Sequence, residues 1–385
     1  MGSAGTRSYE FSKKLISNGH TVEMICASNE RTVTGLNQEF VNGKREGVVE
    51  SINVTELKIP YSNYDGFIKR SLSFIRFSLR GILISLRKDY DIILTSSTPL
   101  TVAIPGIIAS IFRSKKFIFE VRDLWPELPR AMGIINSKIL LRILGLIETL
   151  AYKRANACIA LSPGIKKGIH SKSKNKNITI IPNGCDNEYF RTQVNKKKSK
   201  KINFVFTGAH GKANGLDSVL DAAKELLKSK EKNIFIKFIG DGSEKPKLIK
   251  RSIDENLTNC EFLDPMPKKE LFNFLNTEAD VGLMILKNIE AFYDGTSPNK
   301  FFDYLSLGLP VINNYPGWLS KLIKNNNCGI AVRPDNPKLL SNAMIKLYED
   351  RILRIKMGKN SRKLALESYD RDYLSSKFVK FIESV

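Results

Sequence analysis

Short apolar runs rich in β-branched residues alternate with amphipathic helical segments along the whole chain. In the first half the apolar runs cover residues 21–27, 91–95, 116–121, 157–161 and 178–181. In the second half they cover residues 202–207, 234–239, 260–263, 281–285 and 311–312. Strands that alternate with helices form parallel sheets covered on both faces, so the pattern predicts an α/β protein. Right-handed crossovers then give doubly wound, Rossmann-like lobes, whose ligands bind at the carboxyl ends of the strands.

A polar run separates the two series of strands. Residues 195–201 contain five lysines and no apolar side chain, which is typical of an exposed linker. We therefore expect a first lobe, a linker, a second lobe and a final helix, over residues 1–194, 195–201, 202–371 and 372–385.

Residues 67–88 form a separate feature, because their apolar side chains recur at helical spacing. These side chains are Phe67, Ile68, Leu72, Ile75, Leu79, Ile82, Leu83 and Leu86. The basic residues between them are Lys69, Arg70, Arg76, Arg80, Arg87 and Lys88. Such a helix can bury its apolar face among lipid headgroups while its cations meet anionic lipid. The same face can instead pack on the sheet of its own lobe, and the pattern leaves both open.

Composition narrows the class of protein. The chain has 385 residues, 42% hydrophobic and 26% charged, as in globular proteins of two ordinary domains. A formal charge of +22 fits a nucleic acid, an anionic membrane or a polyanionic substrate, and equally a solvated surface rich in Lys and Asn. Because no motif that reads RNA or DNA accompanies this charge, we expect no nucleic-acid partner.

Cysteine and histidine usage excludes several kinds of site. The five cysteines are scattered and the three histidines lie far apart, which excludes a zinc ribbon, a disulfide framework and a local metal cluster. This usage fits a reducing cytoplasm. The chain opens with no signal peptide, and its most apolar stretch, residues 91–112, contains prolines and hydroxyl residues that favour a strand, loop and helix over a membrane span.

Three short motifs suggest chemistry that their context does not support. Asp-Tyr-Asp at 89–91 matches a metal-binding pattern of some sugar transferases, but it directly precedes an apolar strand, where acids usually end a turn. Gly-Ala-His-Gly-Lys at 208–212 lacks the spacing of a phosphate loop. Gly-Asp-Gly at 240–242 is too short for a dinucleotide fingerprint.

Two glycine-containing loops after strands are the candidates for phosphate binding. The loop at 207–215 contains Gly208, His210 and Lys212 and leads into a helix, so its amides and one cation suit a diphosphate. A simple strand–helix turn is the alternative.

Residues 295–300, Gly-Thr-Ser-Pro-Asn-Lys, open a helix that we expect to begin near Phe301, with Thr296 or Ser297 as its cap. A leaving diphosphate there would meet free N–H groups and Lys300. Asp303, one turn inside, could accept hydrogen bonds from a ribose. The candidate donor-binding residues of this segment are Asp294, Gly295, Thr296, Ser297, Asn299 and Asp303.

Several motifs resemble glycosyltransferase family 4, the retaining enzymes with the GT-B fold, and the resemblance covers nearly the whole chain. Ile-Pro-Asn-Gly-Cys-Asp at 181–186 resembles the family's signature at the end of the first lobe, and Gly-Leu-Asp at 215–217 follows the phosphate-facing loop. Residues 120–127 and 297–304 resemble more narrowly the WbuB-like branch. Its members are associated with O-antigen, capsule and exopolysaccharide assembly, and some are called N-acetyl-L-fucosamine transferases.

The resemblance implies two Rossmann-like lobes with a cleft between them and a metal-independent transfer without a cofactor. The second lobe would bind a nucleotide-sugar, with UDP as the family's usual nucleotide, and the first lobe a lipid-linked or saccharide acceptor. It also implies a cytoplasmic enzyme that is peripheral on the inner face of the cytoplasmic membrane, and a final helix, 372–385, that crosses back to the first lobe.

The chain departs from the family pattern in its acidic residues. The family's Glu-x7-Glu pair falls at Gly295 and Asp303, so the first acid is absent and the second is shortened. Asp294 and Glu290 are the two candidates to replace it as an acceptor for a sugar hydroxyl. The family's His-Asp corresponds to Arg122 and Asp123. We expect Asp123, Lys300 and Lys212 to be the catalytic residues, with Asp123 facing the reacting sugar.

The family's first β-strand, which leads into a Gly-rich loop, has no counterpart in the sequence, which opens inside that loop at residues 1–7. Gly5 and Thr6 of this loop are expected to face the donor phosphates. A shortened start is the preferred explanation, and a functional short form is the other. Three rival functions stay open: a non-catalytic nucleotide- or polysaccharide-binding assembly protein, a sugar-nucleotide epimerase, and a membrane-surface adaptor.

Overall fold

The computed structural model describes residues 6–28, 34–62, 65–174, 177–187, 200–229 and 233–385. Its chain forms two compact units. The first comprises Met1–Pro182, Gly295–Ser297 and Asp372–Val385. The second comprises Asn183–Asp294 and Pro298–Arg371.

Thirteen strands lie in the described part of the chain. Those of the first unit are β1 (Glu23–Ala27), β2 (Lys44–Val49), β3 (Ile52–Leu57), β4 (Ile92–Ser96), β5 (Lys116–Val121), β6 (Ala157–Ala160) and β7 (Ile178–Ile180). Those of the second unit are β8 (Ile202–Thr207), β9 (Ile234–Ile239), β10 (Cys260–Leu263), β11 (Val281–Met284), β12 (Val311–Asn313) and β13 (Gly329–Ala331).

Helices follow most of the strands. They are α1 (Thr6–Ser17), α2 (Phe67–Arg87), α3 (Ala103–Phe112), α4 (Glu127–Ala131), α5 (Lys138–Arg154), α6 (Pro163–Lys172), α7 (Asp217–Lys228), α8 (Lys245–Asp254), α9 (Lys268–Glu278), α10 (Glu290–Tyr293), α11 (Asn299–Ser306), α12 (Trp318–Asn325), α13 (Pro337–Glu349), α14 (Arg351–Ser368) and α15 (Arg371–Glu383).

The first unit contains two sheets. One is parallel throughout, in the order β4-β5-β6-β7. The other has the order β1-β3-β2, with β1 parallel and β2 antiparallel to β3. The alternation of strands and helices predicts all of these strands except β2 and β3, which form a hairpin. Its two-residue turn is Glu50-Ser51, with φ of 47° and 67°, instead of the Asn-Gly or Asp-Gly pair that marks such turns in a sequence.

The second unit contains one parallel six-stranded sheet in the order β10-β9-β8-β11-β12-β13. Its core includes the fully buried rings of Phe204, Phe206 and Phe238 from the neighbouring strands β8 and β9. The sequence pattern predicts every strand here except β13, which is Gly-Ile-Ala and contains a single β-branched residue. The α/β class with parallel sheets is therefore confirmed.

Helix α15 packs within the first unit, although it is last in the chain. The ring of Phe378 stacks on that of Phe11 from α1, with ring centres 4.1 Å apart. Both rings belong to a buried cluster with Ile118, Ile159 and Ile181 of the parallel sheet. The first unit therefore draws part of its core from the last helix of the chain.

Candidate functional site

The loop after β8 is held open by glycine. Gly208 has a φ of +112°, a region that side chains with a Cβ rarely adopt, and a Cβ there would lie 3.5 Å from Nζ of Lys300. A short 3-10 turn, Lys212–Asn214, follows, and Gly215 with φ +56° ends it before α7. Lys212 is exposed on this turn. The predicted Gly-rich loop thus opens at the carboxyl end of a central strand.

A second glycine loop, 240–242, supports the first one. A Cβ on Gly240 would lie 2.0 Å from the carbonyl oxygen of Gly208, and one on Gly242 would lie 2.6 Å from that of His210. The amide of His210 donates to the carbonyl of Asp241 over 2.9 Å. The glycines at 240 and 242 are therefore required because two backbones touch there.

The imidazole of His210 points into the core of the second unit. Its side chain is 0% exposed, and its ring centre lies 6.0 to 6.3 Å from those of Phe206, Phe238 and Phe262. Neither ring nitrogen has a hydrogen-bond partner among the described residues. Burial, with Lys245 and Lys300 nearby, lowers the pKa of His210 to about 4, so the ring is neutral at pH 7. The structure places His210 beneath the loop, with its amide already bonded.

Helix α11 begins at Asn299, two residues before the predicted start. The residue at its N-cap position is Pro298, with no side-chain cap, so the prediction that Thr296 or Ser297 caps the helix is wrong. Proline fits this position because its φ of −74° suits the turn into a helix. The first amides of a helix have no partner within it, so the amino end of α11 can bind an anion.

Lys300 joins this helix end to the loop after β8. Its Nζ lies 3.3 Å from Oδ1 of Asn214 and 3.6 Å from the centre of the Phe206 ring. Burial among these groups lowers the pKa of Lys300 to about 7. The structure therefore brings together Lys300, Gly208 and the 3-10 turn, and leaves the lysine poised between its charged and neutral forms.

Asp303 lies one turn further into α11 and is half-buried. Burial raises the pKa of its carboxyl, although the cations of Lys268 and Arg371 oppose that shift. Both cations also pair with Asp186 of the 181–186 signature. Asn299 is exposed in the first turn of the same helix.

The residues before α11 have two different settings. Asp294 and Glu290 are exposed at either end of the short helix α10. Gly295, Thr296 and Ser297 are buried and group with the first unit.

In the first unit, Asp123 follows β5 and is half-buried, and burial raises the pKa of its carboxyl while Arg122 opposes the shift. The amide of Arg122 donates to Oγ of Ser97 over 3.0 Å. Thr6 begins α1, and Gly5 lies outside the described residues.

The first unit contains a buried ion pair that was not predicted from the sequence. Nε of Arg7 lies 2.8 Å from Oε1 of Glu120, and its other nitrogens donate over 2.7 Å to the carbonyls of Ile181 and Pro182. Burial alone would raise the pKa of Glu120, but Arg7 and Arg122 hold it below its ordinary value. The sequence carried one signal for this pair, since an acid inside the apolar strand β5 requires a buried partner.

The described residues contain no group of three or more His, Cys, Asp or Glu side chains that could hold a metal ion. Within the Asp-Tyr-Asp motif, the carboxylate of Asp89 instead accepts a hydrogen bond from Lys115 over 3.1 Å.

Solved structures resemble the chain over most of its length. Sucrose-phosphate synthase of Thermosynechococcus elongatus superposes with a TM-score of 0.74 at 15% identity, over 99% of this chain and 93% of that one. HepE of Anabaena, in complex with UDP-glucose, superposes with a TM-score of 0.64 at 16% identity, over 80% of this chain and 82% of HepE. These likenesses show the fold, which is that of the GT-B glycosyltransferases.

Sequence comparison gives the family. The capsular polysaccharide biosynthesis glycosyltransferase CapM of Staphylococcus aureus is 26% identical over 304 residues, 74% of this chain and 75% of CapM. The family model "Glycosyltransferase Family 4" matches residues 4–189, and the model "Glycosyl transferases group 1" matches residues 188–364. The two models together span residues 4–364, and both describe glycosyltransferases, so the chain is a glycosyltransferase of the kind that these models describe.

Proposed function

We propose that this enzyme transfers a sugar, with retention of anomeric configuration, from a UDP-sugar to a saccharide or lipid-linked acceptor in bacterial surface polysaccharide synthesis. Family 4 enzymes use a nucleotide-sugar as substrate and need neither a metal ion nor a cofactor. The observation that carries the donor site is the meeting of Lys300 with the Gly208 loop at the amino end of α11. UDP is supported by the UDP-glucose in HepE, and polysaccharide synthesis by the name of CapM.

The donor diphosphate would bind at the amino end of α11. The first amides of the helix and the cation of Lys300 would hold its charge, and that charge grows as the sugar departs. Lys212 adds a second, exposed cation on the 3-10 turn. Gly208 keeps the backbone free of a Cβ where the phosphates approach, and His210 acts beneath the loop by fixing its backbone.

The nucleoside and the sugar would lie on either side of the diphosphate. Asp303 would accept hydrogen bonds from the ribose hydroxyls, and Asn299 lies beside it in the first turn. Asp294, with Gly295 to Ser297, would contact the sugar hydroxyls in place of the acid that this chain lacks.

The first unit would supply the acceptor side of the reaction. Asp123 would face the reacting sugar, and the loop with Gly5 and Thr6 would contact the phosphates. The acceptor hydroxyl attacks the anomeric carbon on the face that the diphosphate leaves. As the bond to the diphosphate breaks, the hydroxyl passes its proton to an oxygen of the departing diphosphate. We assign no carboxylate as a covalent nucleophile. An N-acetylated amino sugar is the preferred donor sugar, on the likeness of residues 120–127 and 297–304 to the WbuB-like branch.

Helix α2 would place the enzyme on an anionic membrane surface. Its buried residues are the small ones, Ser73, Ser78, Gly81 and Ser85. Ser78 donates to the carbonyl of Thr101 over 2.8 Å, and a Cβ on Gly81 would lie 2.8 Å from Pro105. Small residues therefore form the packing face of α2.

The large apolar residues of α2 face solvent, among them Phe67, Ile68, Leu72, Ile75, Leu79 and Leu83. The basic residues Lys69, Arg76, Arg80 and Arg87 are exposed beside them. No helix in the described part of the chain has the length and apolar character needed to cross a bilayer.

A panel of UDP-, GDP- and dTDP-sugars tests the proposed reaction. Release of nucleotide from one UDP-sugar, with the anomeric configuration of the product identified by NMR, is the expected result. Thermal stabilisation by nucleotides with no turnover on any donor or acceptor would contradict it and indicate a binding protein instead.

A further inference from the structure

A second helix of the first unit, like α2, exposes large apolar side chains to solvent. Helix α5 exposes Ile139, Ile143, Leu146 and Leu150, which recur every three or four residues and so lie on one face. Leu146 is 71% exposed. Four apolar side chains on one exposed helix face are unusual for a surface that meets only water.

Helix α3 joins these two faces. It contacts both α2 and α5, and its last residues, Ile111 and Phe112, are exposed, Phe112 by 72%. Three neighbouring helices therefore contribute to one apolar surface. We name this surface, made by the outward apolar residues of α2, α3 and α5, the three-helix surface.

A basic cavity lies at the carboxyl ends of α3 and α5, beside this surface. Its volume is about 350 Å³, and its lining includes Lys115, Lys116, Lys153 and Arg154 together with Ser110 and Asn156. None of the described residues that line this cavity is acidic. Ser110 lies two residues before Phe112, and Lys153 three residues after Leu150, so the cavity adjoins the apolar residues along both helices.

The cations of the cavity are only partly neutralised. Nη2 of Arg154 donates over 3.0 Å to the carbonyl of Ser110, which orients its guanidinium along the cavity wall. Lys115 pairs with Asp89, whose own side chain is 93% exposed. Lys153 is exposed and has no hydrogen bond or ion pair to another described residue. Lys116 donates over 2.6 Å to an oxygen of Val385, and the hydroxyl of Ser110 donates over 2.7 Å to the carbonyl of Ile107. The cavity therefore keeps the charges of Lys153 and Arg154, together with the amide group of Asn156.

We infer that this cavity binds the phosphate group of an anionic lipid while the three-helix surface lies in the headgroup region. This inference rests on the membrane association proposed for α2. An apolar face alone would bind neutral and anionic bilayers alike, whereas a cavity of cations and neutral donors beside it selects a phosphate-bearing headgroup. The charge of the cavity complements an anionic bilayer and not a second copy of this cationic chain, whose formal charge is +22.

Vesicle flotation of the full chain tests the inference. The vesicles contain phosphatidylcholine alone, phosphatidylcholine with one part in five of phosphatidylglycerol, or the same proportion of cholesterol hemisuccinate, whose anion is a carboxylate. The variant is Lys153→Gln with Arg154→Gln. The control, Lys167→Gln with Lys174→Gln, removes the same charge from exposed positions of the first unit outside the cavity. Because Arg154 bonds the end of α3, Lys153→Gln alone is a second variant.

The expected result is roughly tenfold weaker binding of the cavity variant to phosphatidylglycerol vesicles, with less than about a twofold change for the control. Binding to hemisuccinate vesicles should change much less. Equal losses for both double variants, or on both anionic vesicles, would overturn the phosphate site and indicate general charge attraction.

Two further measurements are needed. The first distinguishes lipid phosphate from free phosphate, and the second distinguishes failure of the cavity inference from failure of the membrane association proposed for α2. If calorimetry shows that inorganic phosphate binds the wild type and not the cavity variant, yet flotation at equal ionic strength is unchanged by that phosphate, the cavity takes free phosphate and the lipid assignment is wrong. If α2 variants lose binding to every vesicle while nucleotide release from the donor is unchanged, that loss shows the role of α2 and does not test the cavity. If α2 variants bind like the wild type, the association on which this inference rests fails.

Discussion

The ammonium group of Lys300 lies 3.6 Å from the centre of the Phe206 ring, at the point where helix α11 meets the loop after β8. A cation over an aromatic face is stabilised without being neutralised. Lys300 therefore keeps its capacity to bind an anion while its position is fixed by strand β8.

Replacing Lys300 by alanine should lower kcat/KM for the donor by about 10²- to 10³-fold, because the variant loses a cation that faces the leaving diphosphate. The measurement is initial-rate kinetics with the best donor of the panel. Lys321→Ala, at an exposed lysine of α12 in the same unit, is the control and should be neutral. Near-wild-type turnover of both Lys300→Ala and Asp303→Ala would contradict the donor-site assignment.

Donor affinity should fall as the pH rises above about 7. The pKa of Lys300 is lowered to about 7, so the free enzyme loses this charge in that range, and a bound diphosphate must restore it by taking up a proton. Calorimetry of UDP-glucose binding in buffers of different ionisation enthalpy detects that proton. Lys300→Arg stays charged at these pH values, and its affinity should depend less on pH. Equal pH profiles for the two proteins would contradict the prediction.

Gly240→Ala should destabilise the second unit by about 2 kcal/mol or more, because the new Cβ meets the Gly208 carbonyl and the φ of +144° is strained. Gly211→Ala is the matched control in the neighbouring loop, where a Cβ meets nothing within 4 Å and φ is −111°. That change should alter the free energy of unfolding by less than about 0.5 kcal/mol. Urea denaturation compares the two, and similar midpoints would refute the close contact.

Arg7→Met should cost about 3 to 5 kcal/mol, because it leaves the buried carboxylate of Glu120 without its cation. Lys13→Met removes an exposed pair with Glu50 and should cost at most about 1 kcal/mol. Chemical denaturation of the full chain measures both.

The same pair predicts a dependence of stability on acid. The pKa of Glu120 is lowered in the folded state, so its contribution is complete above its ordinary pKa and is lost as the pH falls through the folded value. Glu120→Gln should remove that part of the acid sensitivity. An unchanged pH profile would show that other carboxylates account for it.

Leu72→Ser with Leu79→Ser should weaken binding to anionic vesicles while leaving the fold intact, since both side chains face solvent on α2. A leucine side chain that moves from water to full burial contributes about 1.5 to 3 kcal/mol to the free energy of binding. Ile253→Ser with Ile352→Ser, at exposed positions of the second unit, is the control. Flotation supplies the measurement, and equal effects of the two double variants would refute a special role for α2.

The sequence predicted the strands that alternate with helices, because short apolar runs of two to seven residues between polar segments leave few other folds. It missed the β2–β3 hairpin, since Glu50-Ser51 carries no glycine to mark the turn. It predicted Lys300 at the start of a helix from Pro298, but not that burial brings the pKa of Lys300 near 7. That shift comes from burial of the ammonium group among residues distant in the chain, such as Phe206 and Asn214, which lie 94 and 86 residues away.

Side-chain direction was the least predictable property. A histidine in a Gly-rich loop suggested a ligand contact, yet the ring of His210 lies among three phenylalanines whose positions depend on strand register. The leucines of α2 left open whether their face packs on its own lobe or meets a membrane, and only the packing of Ser78 and Gly81 shows which way the helix is turned.

The stacking of Phe378 on Phe11 also affects how the protein is made. A chain emerges from the ribosome with its amino end first, so α1 and the sheet of the first unit emerge long before α15 is synthesised. Domains generally fold as units during synthesis. Here the first unit must wait, with Phe11, Ile118 and Ile181 uncovered, until the second unit has been translated. The order of completion is therefore inverted: the unit that is synthesised first is the last to close its core.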